Sequence, residues 1–416
     1  MIIGQCRYLL SFGLALFILT ALQAKSWKVS ESNGIAALKH YIQQAASGDT
    51  IFIEGGVYRT GNLVIDKSIH LIGIGLPVFD GEDKFEILTL SGHQISVKGI
   101  HFKNSGYSSM NDFAAIKCID ASDVCIEQNE ISFAYFAIHV SNSKRITIRQ
   151  NKITGKPGSE QNTGNGIHLW KCSFAQIDNN VITGHRDGIY FEFVSDSKIE
   201  CNLSRGNIRY GLHFMFSHRD RYEDNQFITN GAGVAVMYSR EVHMHRNEFL
   251  NNWGSASYGI LLKDITDSEI SRNAFLQNTV GIYMEGSSRM TIEANQFSKN
   301  GWAMKVQASC NDNEIMGNNF QGNSFDMATN GTLVLNNFDR NYWDKYDGYD
   351  LSRDGIGDIP YRPVSMYSMI VEQNPFTLIL LRSILIGFLD KAEKAIPGLT
   401  PELLIDKSPL MKPVIL

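Results

Sequence analysis

Short stretches of the chain alternate apolar and polar residues at period 2, as at 146–153, 188–193 and 290–297. That period marks a strand with one buried face and not a helix. The stretches recur. Segments of the form aliphatic-x-x-Asn-x-(Ile/Phe) place Asn129, Asn151, Asn180, Asn202, Asn225, Asn247, Asn273, Asn295 and Asn318 at one equivalent position, in steps of 22, 29, 22, 23, 22, 26, 22 and 23 residues. A second track, Gly-aliphatic-x-aliphatic, runs through Gly166, Gly188, Gly211, Gly233, Gly259 and Gly281 in steps of 22, 23, 22, 26 and 22. The two tracks drift together, so the long steps are insertions into a continuing repeat.

A period of this size marks a solenoid, in which each repeat buries its apolar face only against its neighbours. Leucine-rich repeats share the length but need a Leu-rich consensus; here β-branched and aromatic residues dominate. The pattern predicts an all-β chain, a right-handed parallel β-helix of about eleven or twelve coils with two or three short strands each. Asn suits the turns because it tolerates the left-handed conformation, and stacked amides can bond from coil to coil. Each inward Ile, Val, Leu or Phe contributes roughly 1.5–3 kcal/mol on full burial. The 29-residue step carries an outward loop at 155–164 and the 26-residue step one at 253–257.

The ends differ from the middle. Helical spacing at 33–46 predicts a short helix covering the first coil, where an open solenoid exposes a sheet edge. After Asn336 the repeat fails, and 341–374 is rich in Gly, Asp and Tyr. Residues 375–416 read as a helical tail whose apolar run, with Arg382 inside it, is too short and charged to span a bilayer. Its apolar excess demands burial, either on the last coil, against a membrane-bound partner or at a bilayer surface. Docking on a partner is the favoured reading, through Phe376, Leu378, Leu380, Leu381, Ile384 and Leu385.

The 416 residues carry a net charge of −5, which argues against a general nucleic-acid surface. Arg7, the apolar run from Leu9 to Leu22 and the small residues Ala24 and Ser26 form a secretory signal over 1–24, a retained anchor being the alternative. Cys6 precedes the apolar run and is no lipoprotein acylation site. The remaining Cys118, Cys125, Cys172, Cys201 and Cys310 are odd in number and read as small hydrophobes. No Walker A, G-x-G-x-x-G or H-E-x-x-H sequence occurs.

Outward positions of the Gly-aliphatic strands form two columns: His139, His168, Tyr190, His213, Ala235, Leu261, Tyr283, and Ser141, Trp170, Glu192, Met215, Met237, Lys263, Glu285. Met215 therefore has His213 beside it, Met237 above and Glu192 below, with His168 and His218 as further donors. Thioether and imidazole suit a soft ion such as Cu(I); ordinary packing under a covering loop is the plainer reading. His243 and His245, two apart on a strand, read as a chance exposed pair. In the run 350–358, Asp350, Ser352, Asp354 and Asp358 take positions 1, 3, 5 and 9 of a calcium loop, but position 12 is Tyr361. A tight turn is the plainer reading there. Polysaccharide cleavage would need paired carboxylates, and none emerges.

With these residues in view, the chain resembles the NosD family, exported maturation proteins of nitrous oxide reductase. The resemblance runs over essentially the whole mature chain. It is carried by RDGIYFEFVSDS, RYGLHFMFSHRDRYEDNQFITNGAGVAVMYSR, YGILLKDITDSEI, NTVGIYMEGS, NYWDKYDGYDLSRDGIGDIPYRP and NPFTLILLRS. It implies a pectin-lyase-like right-handed β-helix that hydrolyses no sugar. It also implies a periplasmic subunit of an ABC transporter with separate permease and ATPase chains, working with a copper-chaperone lipoprotein to assemble the reductase's copper-sulfide centre. The alternative is a secreted β-helix that binds or cleaves acidic polysaccharide, which a basic residue beside three clustered acids would favour.

Overall fold

The computed structural model describes residues 24–108, 112–156, 158–331, 335–381, 383–395 and 404–415. The signal-like run up to residue 23 and Arg382 lie outside the described residues. Among the described residues, three parallel sheets of 14, 12 and 13 strands are built by successive coils, a coil giving one short strand to each sheet. The stack is taller than the eleven or twelve coils expected. Its first coils lack the Asn signature, their equivalent positions holding Pro77 and Ile100.

Each coil turns at a left-handed residue, but that residue is not the repeated Asn. Gln128, Gln150, Asn179, Cys201, Asp224, Arg246, Arg272 and Ala294, each directly before the Asn, carry φ between 51° and 56°. The expectation that Asn itself takes the left-handed turn is thereby corrected: its amide points inward and is committed to hydrogen bonds. Asn225 Nδ2 donates to Asn247 Oδ1 at 3.0 Å and to Ile199 O at 2.9 Å, and Asn225 N donates to the same Oδ1 at 3.0 Å. A second buried ladder, absent from the sequence reading, runs through Asn207, Asn230, Asn252, Asn278, Asn300 and Asn323. Inside, Phe227, Phe249, Phe275, Phe297 and Phe320 stack and end on Trp343, with ring centroids 5.4, 4.7, 4.8, 4.9 and 4.0 Å apart. Each such contact adds about 0.5–1.5 kcal/mol beyond burial.

At the start, helix α1 (Gly34–Gln44) lays Leu38 and Ile42 into the core, as its spacing predicts. At the far end the last residues of the chain, and not the helices, close the stack. Leu404 joins the core. Asp406 Oδ2, fully buried, accepts hydrogen bonds from Asn341 N, Asn341 Nδ2 and Trp343 Nε1, each at 3.0 Å. Phe338 and Tyr342 gain parallel bridges to Asp406 and Leu410. The stretch 375–416, expected as one docking tail, thus divides in two, because contacts across 65 residues leave no trace in local periodicity. Helices α2 (Met366–Gln373) and α3 (Ile384–Ala395) pack Tyr367, Val371 and Ile386 against Val280, Trp302 and Phe325 on the outer face of the 12-stranded sheet. Lys305 Nζ pairs with Glu372 there at 2.6 Å.

Candidate metal-handling face

The two outward columns are in register on the 12-stranded sheet, His213 between Tyr190 and Ala235, and Met215 between Glu192 and Met237. Pointing away from the core is not the same as facing water. His139, Tyr190 and His213 are 6, 9 and 3 % exposed. Their rings form a continuous pile: His139–His168 4.8 Å, His168–Tyr190 4.7 Å, Tyr190–His213 5.0 Å. Burial pulls the pKa of His139 down to about 4 and that of His168 well below the usual histidine range. Both are neutral at pH 7 and keep a lone pair. His213 sits against Tyr190 and Tyr210, its Nδ1 3.7 Å from Asp187 Oδ2, and neither ring nitrogen has a hydrogen-bond partner. A buried polar atom left so costs about 1–3 kcal/mol, which an incoming ligand or ion would relieve.

Met215 and Met237 are cross-strand partners, both partly buried. The Tyr190 hydroxyl lies 3.6 Å from Met215 Sδ and 3.3 Å from Glu192 Oε2. Burial first, then the Glu192 carboxylate, pushes this phenol up to about 12. Glu192, Met215 and Met237 are therefore neighbours in register, two thioethers and a carboxylate whose softer members fit Cu(I), while His213, two residues before Met215 on the same strand, turns Nδ1 toward Asp187. The other two predicted donors do not join them. His168 lies two coils from His213, about 9–10 Å by coil spacing, with the Tyr190 ring between, and its Nδ1 is 3.1 Å from Asn165 Nδ2. His218 lies past the end of the strand Tyr210–Met215, its Nδ1 accepting from Arg240 N at 3.3 Å. Period 2 orders residues along a strand but says nothing of the corner that follows it.

Two features escaped the sequence reading. Phe193, Phe216 and Tyr238, each the residue after a second-column position, stack on the surface at 5.3 and 5.0 Å while 46, 37 and 39 % exposed. On the 14-stranded sheet, His243 and His245 are joined by Glu269 from the next coil, and these are the only three His, Cys, Asp or Glu residues among those described whose ligand atoms lie within 4.8 Å of one another. The 26-residue step carries Glu269 to His243 and was the available signal.

The turn at 350–358 is held by its own backbone. Asp350 accepts from Gly355 N at 2.9 Å and Asp354 N at 3.2 Å, Asp354 accepts from Ile356 N at 2.9 Å, and Asp358 accepts from Leu351 N. Ser352 donates to Asp350 at 3.3 Å, and the three carboxylates do not gather into one close group. The five cysteines among the described residues are free; Cys118, Cys172 and Cys310 are buried as expected, whereas Cys201 is exposed.

Fold and face together define a class, a parallel β-helix with a donor-rich outer surface. A model of the right handed beta helix region matches residues 29–170. The catalytic unit of a GH87 α-1,3-glucanase from Streptomyces thermodiastaticus superposes with a TM-score of 0.60 over 76 % of this chain and 69 % of that one, at 12 % identity, a likeness of fold alone. Residues 149–348 match the model of a periplasmic copper-binding protein, NosD. The chain is 30 % identical over 386 residues to a probable ABC transporter binding protein NosD of Pseudomonas aeruginosa, covering 88 % of this chain and 89 % of that one. It is 28 % identical over 380 residues to the protein of the same name from Stutzerimonas stutzeri, 86 % of each being covered. The chain belongs to the NosD family.

Proposed function

We propose that the protein is a periplasmic, non-enzymatic subunit of an ABC-transporter complex that matures nitrous oxide reductase. It takes Cu(I) as cargo from a chaperone lipoprotein and passes or positions it for the reductase's copper-sulfide centre, while a separate ATPase supplies the energy. The observation that carries this reading is the Met215–Met237 cross-strand pair with Glu192 below it, on the strand that also bears His213 with its unpartnered ring nitrogens. Two thioethers bind a soft ion, and so few of them hold it weakly enough for release. The polysaccharide alternative calls for a basic residue beside three clustered acids, and among the described residues no three carboxylates converge.

The tail supports attachment to a membrane permease. Phe376, Ile379, Ile384, Leu385 and Phe388 are 89, 88, 82, 55 and 66 % exposed, and Leu378, Leu380 and Leu381 lie at 42, 37 and 37 %. An apolar patch of this density asks for a covering partner. Among the described residues no helix is long and apolar enough to cross a membrane.

Replacing Met215 and Met237 by Leu keeps side-chain volume nearly constant, so the coils should persist. The double variant is expected to lose at least about tenfold in Cu(I) affinity by chelator competition, since each tenfold is only about 1.4 kcal/mol. It should also lower copper loading of the reductase in cells. Unchanged affinity together with unchanged loading would sink the proposal.

A further inference from the structure

We propose that His243, His245 and Glu269 form a divalent transition-metal site, taking Zn²⁺ or Cu²⁺, that is distinct from the methionine face and independent of the copper-delivery reading. The strands His243–His245 and Glu269–Ser271 pair in parallel, with His243 opposite Glu269 and His245 opposite Ser271. Met244 and Ile270 between them are fully buried. Strand alternation therefore turns the three donors to the outer surface of the sheet.

The spacing fits a metal. His243 Nδ1 lies 3.4 Å from Glu269 Oε2, and His245 Nε2 lies 3.6 Å from Glu269 Oε1. Tetrahedral coordination with bonds of about 2.0–2.1 Å sets neighbouring ligand atoms about 3.3–3.4 Å apart. The two imidazoles are nearly parallel, at 12°, with centroids 6.0 Å apart, and both address one carboxylate.

The hydrogen bonding around the trio leaves the right atoms free. Ser271 Oγ donates its one proton to Glu269 Oε1 at 2.9 Å, so in its 2.6 Å contact with His245 Nδ1 the serine oxygen is the acceptor. His245 consequently carries its proton on Nδ1 and keeps the Nε2 lone pair toward Glu269. A partner on the other ring nitrogen is the usual way a ligating histidine is oriented. Positive charges nearby are already neutralised: Arg221 faces Glu223 at 3.9 Å, and Arg246 is held by Asp224 at 2.8 Å and Glu223 at 3.3 Å.

The donor set decides the class of ion. Two nitrogens and one carboxylate oxygen are borderline to hard, suited to Zn²⁺ or Cu²⁺ and unlike the soft thioethers of the other face. Three protein ligands leave a coordination position open, the arrangement of exchangeable sites and not of closed structural ones. With 35, 21 and 31 % side-chain exposure, the three residues are within reach of an incoming ion.

The test titrates the full-length protein with ZnCl₂ by calorimetry and follows Cu²⁺ by electron paramagnetic resonance. One saturable equivalent of Zn²⁺ is expected, with nitrogen hyperfine structure on Cu²⁺. His245→Ala and Glu269→Gln should each weaken Zn²⁺ binding by at least tenfold. Ser271→Ala, which keeps the ligands but removes their orienter, should weaken it about 10- to 100-fold. The Met215→Leu/Met237→Leu variant should bind Zn²⁺ as the parent does. Parent-like circular dichroism of each variant separates loss of a ligand from loss of fold. Absence of saturable Zn²⁺ binding by the parent, or binding that survives both His245→Ala and Glu269→Gln, would overturn the site and reduce the trio to an ion-pair cluster.

Discussion

Replacing Asp406 by Ala should unzip the end of the solenoid. The side chain is fully buried, and one of its oxygens accepts from Asn341 N, Asn341 Nδ2 and Trp343 Nε1, each at 3.0 Å, while the other accepts from Ser408 N at 3.1 Å. It stands where the next ladder amide would stand, since Asn318 bonds Asn341 in the same way. Truncation strands three buried donors at about 1–3 kcal/mol each, and some water entry relieves part of that, so a loss of about 3–5 kcal/mol is expected. Asp406→Asn is the control. It keeps an oxygen for the ladder and sets an amide NH₂ against Ser408 N, costing one bond, about 1 kcal/mol. Because coils contact only their neighbours, the damage should be local. In urea unfolding with native-state hydrogen exchange, protection at Leu335–Asp339 and Tyr342–Trp343 should fall in the Ala variant, while strands such as Tyr210–Met215 keep theirs. An Ala variant within 1 kcal/mol of the parent, with end-coil protection intact, would refute the view that Asp406 terminates the ladder.

Other consequences are equally open to measurement. Asp220 is fully buried, one oxygen accepting from Ser197 N at 2.9 Å and the other without a partner, and burial pushes its carboxyl up to about 8. The folded state keeps that proton where the unfolded state has lost it, so stability should fall as pH rises from about 4 to about 8. Asp220→Asn should remove this component of the slope, and a parent whose urea midpoint stays level across that range would contradict it. Replacing Phe376, Ile384 and Phe388 together by Ser should leave the melting temperature close to the parent's and abolish co-purification with the permease; retained co-purification moves the docking surface elsewhere. Deleting 404–416 is expected instead to destabilise the last coils through loss of Leu404 and Asp406, so a tail truncation before Leu404 does not isolate docking.

The periodic part of this molecule was legible because each coil repeats the same physical problem. An inward Ile or Phe and a ladder Asn return at nearly the same interval, and the outward columns follow from strand alternation alone. What lacked a recurring flanking motif, or lay outside periodicity altogether, was missed. The second Asn ladder is offset from the first by a constant distance along each coil, but its flanking residues vary, as in NIRYG, NGAG and NNWG. Burial of His213 comes from Tyr190, Tyr210 and Asp187 of its own sheet, whose packing around the ring the alternation of a strand does not encode. The closing role of Asp406 depends on a contact across 65 residues. His243 and His245 looked unpaired because their partner is one coil away, across the longer 26-residue step.

The register of the 12-stranded sheet also relates the two surfaces assigned to cargo and to partner. The column that holds His213 continues through Ala235, Leu261 and Tyr283 to Lys305, and Lys305 is the residue paired with Glu372 of α2. Four coil steps of about 4.8 Å put the anchor of α2 about 19 Å from His213 along one straight column. A protein seated on the apolar patch of the tail lies on the same side of the solenoid as the methionine pair. On the proposed function, delivery from that partner, or to one that replaces it, would run along this face and not around the core. Since the coils beneath are held by Asn ladders and stacked Phe, substitutions at Met215, Met237 or His213 change the donor set while the spacing between the two surfaces stays as the backbone sets it.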